Sequence, residues 1–163
     1  MVNSTNISTL KSTFADQGEN MLNLGQTSAK ERIRKLRKLE SSILNHQGLI
    51  CEALYKDLGK SEAESKVSEV FILLSELRHV RRNLRTWMCD KQIPSPIFML
   101  GSKAYIRYES KGRALIIAPW NYPFLLSLSP LIGAIAAGCP AIIKPSEYSG
   151  HTSALIAKII KEV

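Results

Sequence analysis

Hydrophobic residues recur at helical intervals along the first half of the chain. From Ser28 onward they are spaced by three or four positions, which is the period of an amphipathic helix. Gly59 closes a second, shorter stretch, as glycine commonly does at a helix C-terminus. Ser61 followed by Glu64 has the form of a capping box, so we expect a long helix from there to about Asp90, before two prolines.

One face of this long helix carries an apolar stripe that should face a core. Its members are Val67, Val70, Leu74, Leu77, Val80, Leu84 and Trp87. The polar residues 1–26 predict a frayed lead-in or one short helix. The pattern therefore predicts that residues 1–96 form an N-terminal helical scaffold region.

After the prolines the pattern changes to alternating strands and helices. Residues 103–109 alternate between apolar and polar, which predicts a strand with one solvated face. Residues 114–118 and 140–144 are short, continuous apolar runs, typical of strands buried in a parallel sheet. An apolar helix from about residue 124 to 137 should lie between them, and another helix should begin at His151.

This β-α-β-α order predicts an α/β fold. N-terminal helices would be followed by the start of a doubly wound, Rossmann-like parallel sheet that binds a dinucleotide. We assign residues 97–163 to this dinucleotide-binding domain. Two strands of such a sheet cannot cover both faces or protect both edges, so the domain is expected to be incomplete, and the sequence to be a fragment.

Charge and cysteine content narrow the function classes. The net charge is +8, with basic residues concentrated at 30–38 and 78–91. Both clusters have helical spacing and are predicted to be solvated helix faces. Neither aromatic side chains for base stacking nor a known nucleic-acid recognition motif lies beside these clusters, which argues against a nucleic-acid partner. The three cysteines lie far apart and predict neither a metal site nor a disulfide framework.

Residues 114–143 contain no charged side chain and are long enough to cross a bilayer. Four prolines interrupt them, however, and a spanning helix would lose backbone hydrogen bonds there. We therefore expect a buried strand, loop, helix and strand, and no membrane partner. No signal-peptide pattern occurs at the N-terminus, and sparse cysteines fit a reducing compartment, so the cytoplasm is the expected location.

Two loops follow the two buried strands, at residues 119–123 and 144–147. Ligands bind outside the carboxyl ends of strands in open α/β sheets. The G-x-G-x-x-G fingerprint is absent, so an ordinary Rossmann site is not expected. The segments 114–124, 130–138 and 142–147 resemble the aldehyde dehydrogenase superfamily in order and spacing, and are most similar to its class 3-like branch, which accepts fatty and aromatic aldehydes.

The resemblance implies NAD(P)-dependent oxidation of a small-molecule aldehyde to a carboxylic acid, through a cysteine thiohemiacetal and thioester. Asn121 would donate its side-chain amide to the oxyanion that forms when a thiolate attacks the aldehyde. Such a donor is worth about 3 kcal/mol. The alternative is an asparagine that makes a side-chain turn between two prolines.

The resemblance also implies a cofactor site. Lys144 and Glu147 would bind the adenosine ribose, unless they are merely solvated loop charges. A carboxylate beside the 2′-hydroxyl disfavours a 2′-phosphate, which favours NAD, with NADP possible because the class 3-like branch often accepts both. The backbone segment that resembles the lining of the cofactor pocket consists of Ile117, Ala118, Pro119 and Trp120.

The nucleophilic cysteine and the general base of the family lie in motifs beyond Val163, so we expect this chain to be inactive alone. Cys139 is expected to be a buried structural thiol. The chain departs from the family at Ser110, where proline is frequent, and at Cys139, where asparagine is. A homodimer is expected at full length. The alternatives are a catalytically dead paralogue and a membrane-associated interaction module.

Overall fold

The computed structural model describes residues 6–163. Three helices come first: α1 (Ile7–Gly25), α2 (Ala29–Asn45) and α3 (Gln47–Leu58). One continuous helical run follows and contains α4 (Glu62–Ser65), a π-helical turn (Lys66–Phe71) and α5 (Ile72–Trp87). The predicted helical character is confirmed. The prediction of a frayed or short lead-in is wrong for the described part, because α1 has 19 residues; residues 1–5 lie outside the described range.

The second half contains the predicted β-α-β-α order. Strands β3 (Ala114–Ile117) and β4 (Ala141–Lys144) pair in parallel, with Ala114 opposite Ala141. Helix α6 (Pro123–Ala137) joins them, and α7 (Gly150–Lys161) follows β4. Before them, β1 (Lys91–Ile93) and β2 (Ala104–Ile106) form an antiparallel arm around a short 3₁₀ turn (Ile97–Met99). The alternation over residues 103–109 predicts β2, although only three of those residues form the strand. β1 has the same length but lies outside any alternating run.

A continuous hydrophobic core joins the helical region to the β-α-β-α layer. Its fully buried members come from α2, α3, α5, α6 and α7: Leu36, Leu39, Ile43, Ile50, Leu54, Leu73, Leu77, Phe124, Leu128, Ile132 and Ile159. The N-terminal helices therefore pack directly on the helices that follow the two candidate loops. The boundary between residues 1–96 and 97–163 stays a prediction.

The two-stranded sheet is covered on one face. Ile116 and Ala118 are 6% and 4% exposed, whereas Leu115 and Ile117 on the opposite face are 66% and 68% exposed. Side chains of a strand point alternately to its two faces, so the bare face consists of every second residue. Within residues 6–163, no helix has the length and apolar character needed to cross a bilayer.

The π-helical turn changes which residues of the long helical run face the core. Val67 and Trp87 were predicted in the apolar stripe but are 67% and 45% exposed, whereas Val70 and the four predicted positions from Leu74 to Leu84 are buried. A π turn holds one residue more than an α turn, so Val67, which lies inside it, is out of phase with the stripe. Trp87 is the last residue of α5, far from the π turn. The carboxylate of Glu69 takes a fully buried place on this face instead.

The basic cluster at residues 30–38 is only in part a solvated face. Arg32 is 7% exposed. Its guanidinium donates to the carbonyl oxygens of Gly25 at 2.7 Å and Ala136 at 2.8 Å, and to Thr27 Oγ1 at 3.0 Å. The prediction is therefore wrong for this residue, which fastens α2 to the end of α1 and to α6.

Candidate functional site

Asn121 lies in the loop between β3 and α6, at the carboxyl end of β3, and it is exposed. Pro123 opens α6 at its first position, where proline fits because its ring pre-sets φ and the missing N–H costs no helical bond. The N–H of Ala118 donates to the Lys144 carbonyl at 3.0 Å. This bond extends the β3–β4 pairing beyond β3, so the two candidate loops leave the same edge of the sheet.

A carboxylate from the long helical run caps the N-terminus of α6. Glu69 is 0% exposed, and its Oε2 accepts from the N–H groups of Phe124 at 2.9 Å and Leu125 at 3.1 Å. Tyr122, the residue before this helix, makes no capping bond with its side chain. The first N–H groups of a helix have no partner within it and carry partial positive charge. Glu69 supplies both the acceptor and the complementary charge.

Lys60 connects this cap to the Asn121 loop. Its Nζ donates to Glu69 Oε1 at 2.6 Å and to the Asn121 carbonyl at 2.9 Å. The same Nζ lies 4.0 Å from the centroid of the Tyr122 ring, a cation–π distance. The ion pair between Lys60 and Glu69 cannot be predicted from the sequence alone. The recoverable signal is Glu69 itself, which falls four residues before Leu73 on the face that packs into the core.

Lys144 and Glu147 lie at the end of β4 and in the loop after it. Lys144 Nζ donates to Glu147 Oε2 at 2.7 Å, and both side chains are more than half exposed. This hydrogen bond, together with the positive charge of Lys144, lowers the pKa of Glu147 below its ordinary value. The two residues predicted to bind the ribose are thus brought together, with the carboxylate ionised.

The predicted pocket-lining segment runs from the end of β3 into the Asn121 loop. Ile117 and Trp120 are 68% and 54% exposed, and Pro119 is exposed as well. Ala118 alone is buried, at 4%. The segment therefore presents apolar side chains to the surface beside Asn121. Their contact with a cofactor stays a prediction.

Helix α7 is capped in the same manner as α6. The carboxylate of Asp57, near the end of α3, accepts from the N–H groups of His151 at 3.0 Å and Thr152 at 2.7 Å. Ser149, the residue before α7, makes no capping bond with its side chain. Both helices that follow the candidate loops therefore begin at a carboxylate from the N-terminal helical region.

The two departures from the family pattern contact each other. Ser110 Oγ lies 3.3 Å from Cys139 Sγ and donates to the Gly138 carbonyl at 3.1 Å. Cys139 is partly exposed, so the prediction of a buried thiol is wrong as to its burial. It lies just after Gly138, the residue that ends α6. The contact with Ser110 links this thiol to the segment before β3.

The chain belongs to the aldehyde dehydrogenase family, whose family model matches residues 6–163. It is 44% identical over 131 residues to 4,4'-diaponeurosporen-aldehyde dehydrogenase of Staphylococcus aureus, covering 80% of this chain and 28% of that protein. It is 42% identical over 139 residues to human aldehyde dehydrogenase family 3 member B1, covering 85% of this chain and 30% of that protein. The chain thus spans less than a third of the length of these relatives.

Solved structures share the fold. The substrate-bound state of Staphylococcus aureus AldH superposes with a TM-score of 0.91 at 39% identity, covering 97% of this chain and 34% of that one. Succinic semialdehyde dehydrogenase from Streptococcus pyogenes, solved in complex with NADP+, has a TM-score of 0.88 at 15% identity, covering 99% of this chain and 35% of that one. At this low identity the second similarity concerns the fold alone.

Proposed function

We propose that this chain forms the oxyanion-binding part and half of the cofactor site of an NAD(P)-dependent aldehyde dehydrogenase. The observation that carries the proposal is the position of Asn121, exposed at the carboxyl end of β3 with its backbone carbonyl bonded to buried Lys60. An amide held at a strand end is preorganised to meet charge that develops on a substrate oxygen. The complete enzyme would convert an aldehyde to a carboxylic acid.

The chemistry requires a cysteine thiolate from a part of the enzyme outside these residues. The thiolate adds to the aldehyde carbonyl, and the electron pair of the C=O bond moves to oxygen. The neutral side-chain amide of Asn121 would donate an N–H···O hydrogen bond to this oxyanion without transferring a proton to it. Lys144 and Glu147 would hold the cofactor, and its nicotinamide would supply the hydride acceptor that the oxidation to a thioester needs. Water then hydrolyses the thioester and releases the carboxylic acid.

Lys144 and Glu147 would hold the adenosine ribose of the cofactor. Their exposure at the carboxyl end of β4 suits this role, since one side chain donates hydrogen bonds and the other accepts them. The lowered pKa of Glu147 keeps its carboxylate charged at neutral pH. A negative charge there repels a 2′-phosphate, so we expect NAD to bind more tightly than NADP. Ile117, Ala118, Pro119 and Trp120 would line the pocket.

The sparse cysteines of this chain favour a cytoplasmic location for the complete enzyme, and its resemblance to the class 3-like branch favours a homodimer. We also expect the complete enzyme to act on a small-molecule aldehyde and to have no nucleic-acid or membrane partner. Light scattering of the purified complete enzyme measures its oligomeric state. These expectations are independent of the role of Asn121.

Substitution of Asn121 in an active host tests the proposal. We suggest a chimera in which residues 6–163 replace the matching third of Staphylococcus aureus AldH, which shares the fold closely. Asn121→Ala should lower kcat by about 100- to 1000-fold, with a smaller change in KM. Asn83→Ala, a change to a partly exposed asparagine on α5 whose side-chain amide donates to the His79 backbone carbonyl of the same helix, should leave both constants unchanged. An Asn121→Ala chimera with kcat near that of the parent would refute the assignment.

The 163-residue chain by itself should show no dehydrogenase turnover, since the nucleophilic cysteine of the family lies in a motif outside these residues. NADH formation from an aldehyde is the measurement. A rate clearly above a protein-free blank would mean that a group within this chain acts as the nucleophile.

A further inference from the structure

The loop that carries Asn121 is held from the protein interior by a buried ion pair. Lys60 and Glu69 are 8% and 0% exposed, and Lys60 Nζ lies 2.6 Å from Glu69 Oε1. Removing two charges from water costs free energy that their attraction only partly returns, and an apolar pair often stabilises a fold as well. The ion pair by itself therefore contributes little to stability, and the groups that each residue bonds besides its partner explain the two charges better.

The bonds of the pair are directed at the loop. Lys60 Nζ donates to the carbonyl of Asn121 at 2.9 Å, and Glu69 Oε2 accepts from the N–H groups of Phe124 and Leu125. The backbone is thus fixed at Asn121 and again at the start of α6. A shift of the backbone at either point would therefore break a hydrogen bond to the pair.

Glu69 lies on the buried face of the long helical run. Ser65, Glu69 and Leu73 are all 0% exposed and are spaced by four, and Glu69 lies within the π-helical turn Lys66–Phe71. A π turn displaces side chains relative to a regular helix and is frequent at functional sites. Lys60 arrives directly after Gly59, whose positive φ of 68° ends α3.

We propose that Lys60 and Glu69 are positioning residues for aldehyde oxidation, which act by holding Asn121 where its amide meets the oxyanion. The inference rests on the proposed function of Asn121. A donor displaced by about 1 Å can cost on the order of 100-fold in rate. Loss of the pair should therefore lower kcat, while KM for the cofactor and for the aldehyde changes little.

Single substitutions in the chimera separate this role from a general effect of charge. Lys60→Met and Glu69→Gln should each lower kcat by about 10- to 100-fold. The matched controls are Lys66→Met and Glu62→Gln, which remove an exposed ion pair with the same 2.6 Å separation from the same helical run. They should leave kcat within about twofold of the parent, as exposed pairs contribute little. Lys60→Arg, which keeps the charge and the donors, should recover most of the lost rate.

The double variant Lys60→Met with Glu69→Gln keeps the protein foldable if a single substitution does not. It removes both charges together, and the glutamine oxygen can still accept from the first N–H groups of α6. We expect a folded protein with low kcat. A folded double variant with the kcat of the parent would overturn the proposal.

A double-mutant cycle with Asn121→Ala identifies the residue through which Lys60 acts. If Lys60 works through Asn121, Lys60→Met should have almost no further effect on kcat once Asn121 is alanine, because coupled residues are non-additive. Full additivity would overturn the positioning role while leaving the proposed function intact. If Asn121→Ala alone leaves kcat unchanged, the proposed function fails and this inference fails with it.

Hydrogen exchange on the same chimera gives a readout that does not depend on turnover. Peptides that cover residues 118–125 should exchange at least tenfold faster in Lys60→Met than in Lys66→Met, with helices α1 and α2 unaffected. Unchanged exchange in this loop would overturn the proposal whatever the kinetic result.

Discussion

Asp57 of α3 caps α7, the helix that follows the candidate cofactor loop, so its substitution should weaken the start of that helix. Its carboxylate accepts two hydrogen bonds, from the N–H groups of His151 and Thr152, at 3.0 and 2.7 Å. Helix α7, which begins with these bonds, has no side-chain cap of its own. Asp57→Ala removes the whole cap, so the first turn of α7 should open more often.

The size of the effect follows from the chemistry of the cap. Removing one capping acceptor costs about 1 kcal/mol and up to about 2 kcal/mol. Asp57 makes two bonds and carries a charge that complements the helix N-terminus, so we expect the upper end, about 2 kcal/mol. That free energy corresponds to roughly 30-fold in the opening equilibrium. Asp57→Asn keeps one acceptor oxygen and loses the charge, and should cost about half as much.

Hydrogen exchange resolved by peptide measures this local opening directly. In the chimera with Staphylococcus aureus AldH, residues 150–161 should exchange about 30-fold faster in Asp57→Ala than in the parent. Asp16→Ala, a change to an exposed aspartate on α1, is the control and should change nothing in this helix. Faster exchange spread evenly over all helices, or none in α7, would contradict a local capping role for Asp57.

Two further predictions concern a glycine and the thiols. Gly138→Ala should destabilise the fold by about 3 kcal/mol, because φ is 73° and an added methyl would lie 2.5 Å from a guanidinium nitrogen of Arg32. The control is Gly48→Ala, where space is open, which should not lower the melting temperature. Burial raises the pKa of Cys51, whereas Cys89 is exposed. Alkylation at pH 8 followed by peptide mass spectrometry should therefore label Cys89 first, and faster labelling of Cys51 would contradict the burial argument.

Local signals explain how much of the fold can be predicted from the sequence. The periodicity after Ser28 and the glycine at position 59 predict α2 and the end of α3, since both depend on residues close in the chain. The apolar runs predict β3 and β4 for the same reason. Strand β1 and the burial of Arg32 depend on partners distant in sequence, so neither is visible in a local pattern.

The same distinction holds at the candidate site. Asn121, Lys144 and Glu147 are predicted because each occurs in a short motif beside a recognisable strand. Lys60 and Glu69 carry no motif, and their relation to Asn121 arises only when the helical run packs against α6. The spacing of four to Leu73 places Glu69 on the core face, but the sequence does not show that its partners there are Lys60 and the first N–H groups of α6.

The carboxylate caps also account for a feature of the sequence, the missing G-x-G-x-x-G fingerprint. In ordinary dinucleotide-binding folds the N-terminus of the first helix after a strand binds the pyrophosphate, and glycines let the phosphate approach. Here Glu69 already bonds the first N–H groups of α6, and Asp57 those of α7. A phosphate at either helix would have to displace a carboxylate and face its negative charge. A glycine-rich turn that lets a phosphate approach would therefore have no function at these helices. Between β3 and α6, the loop with Asn121 stands where such a turn would be.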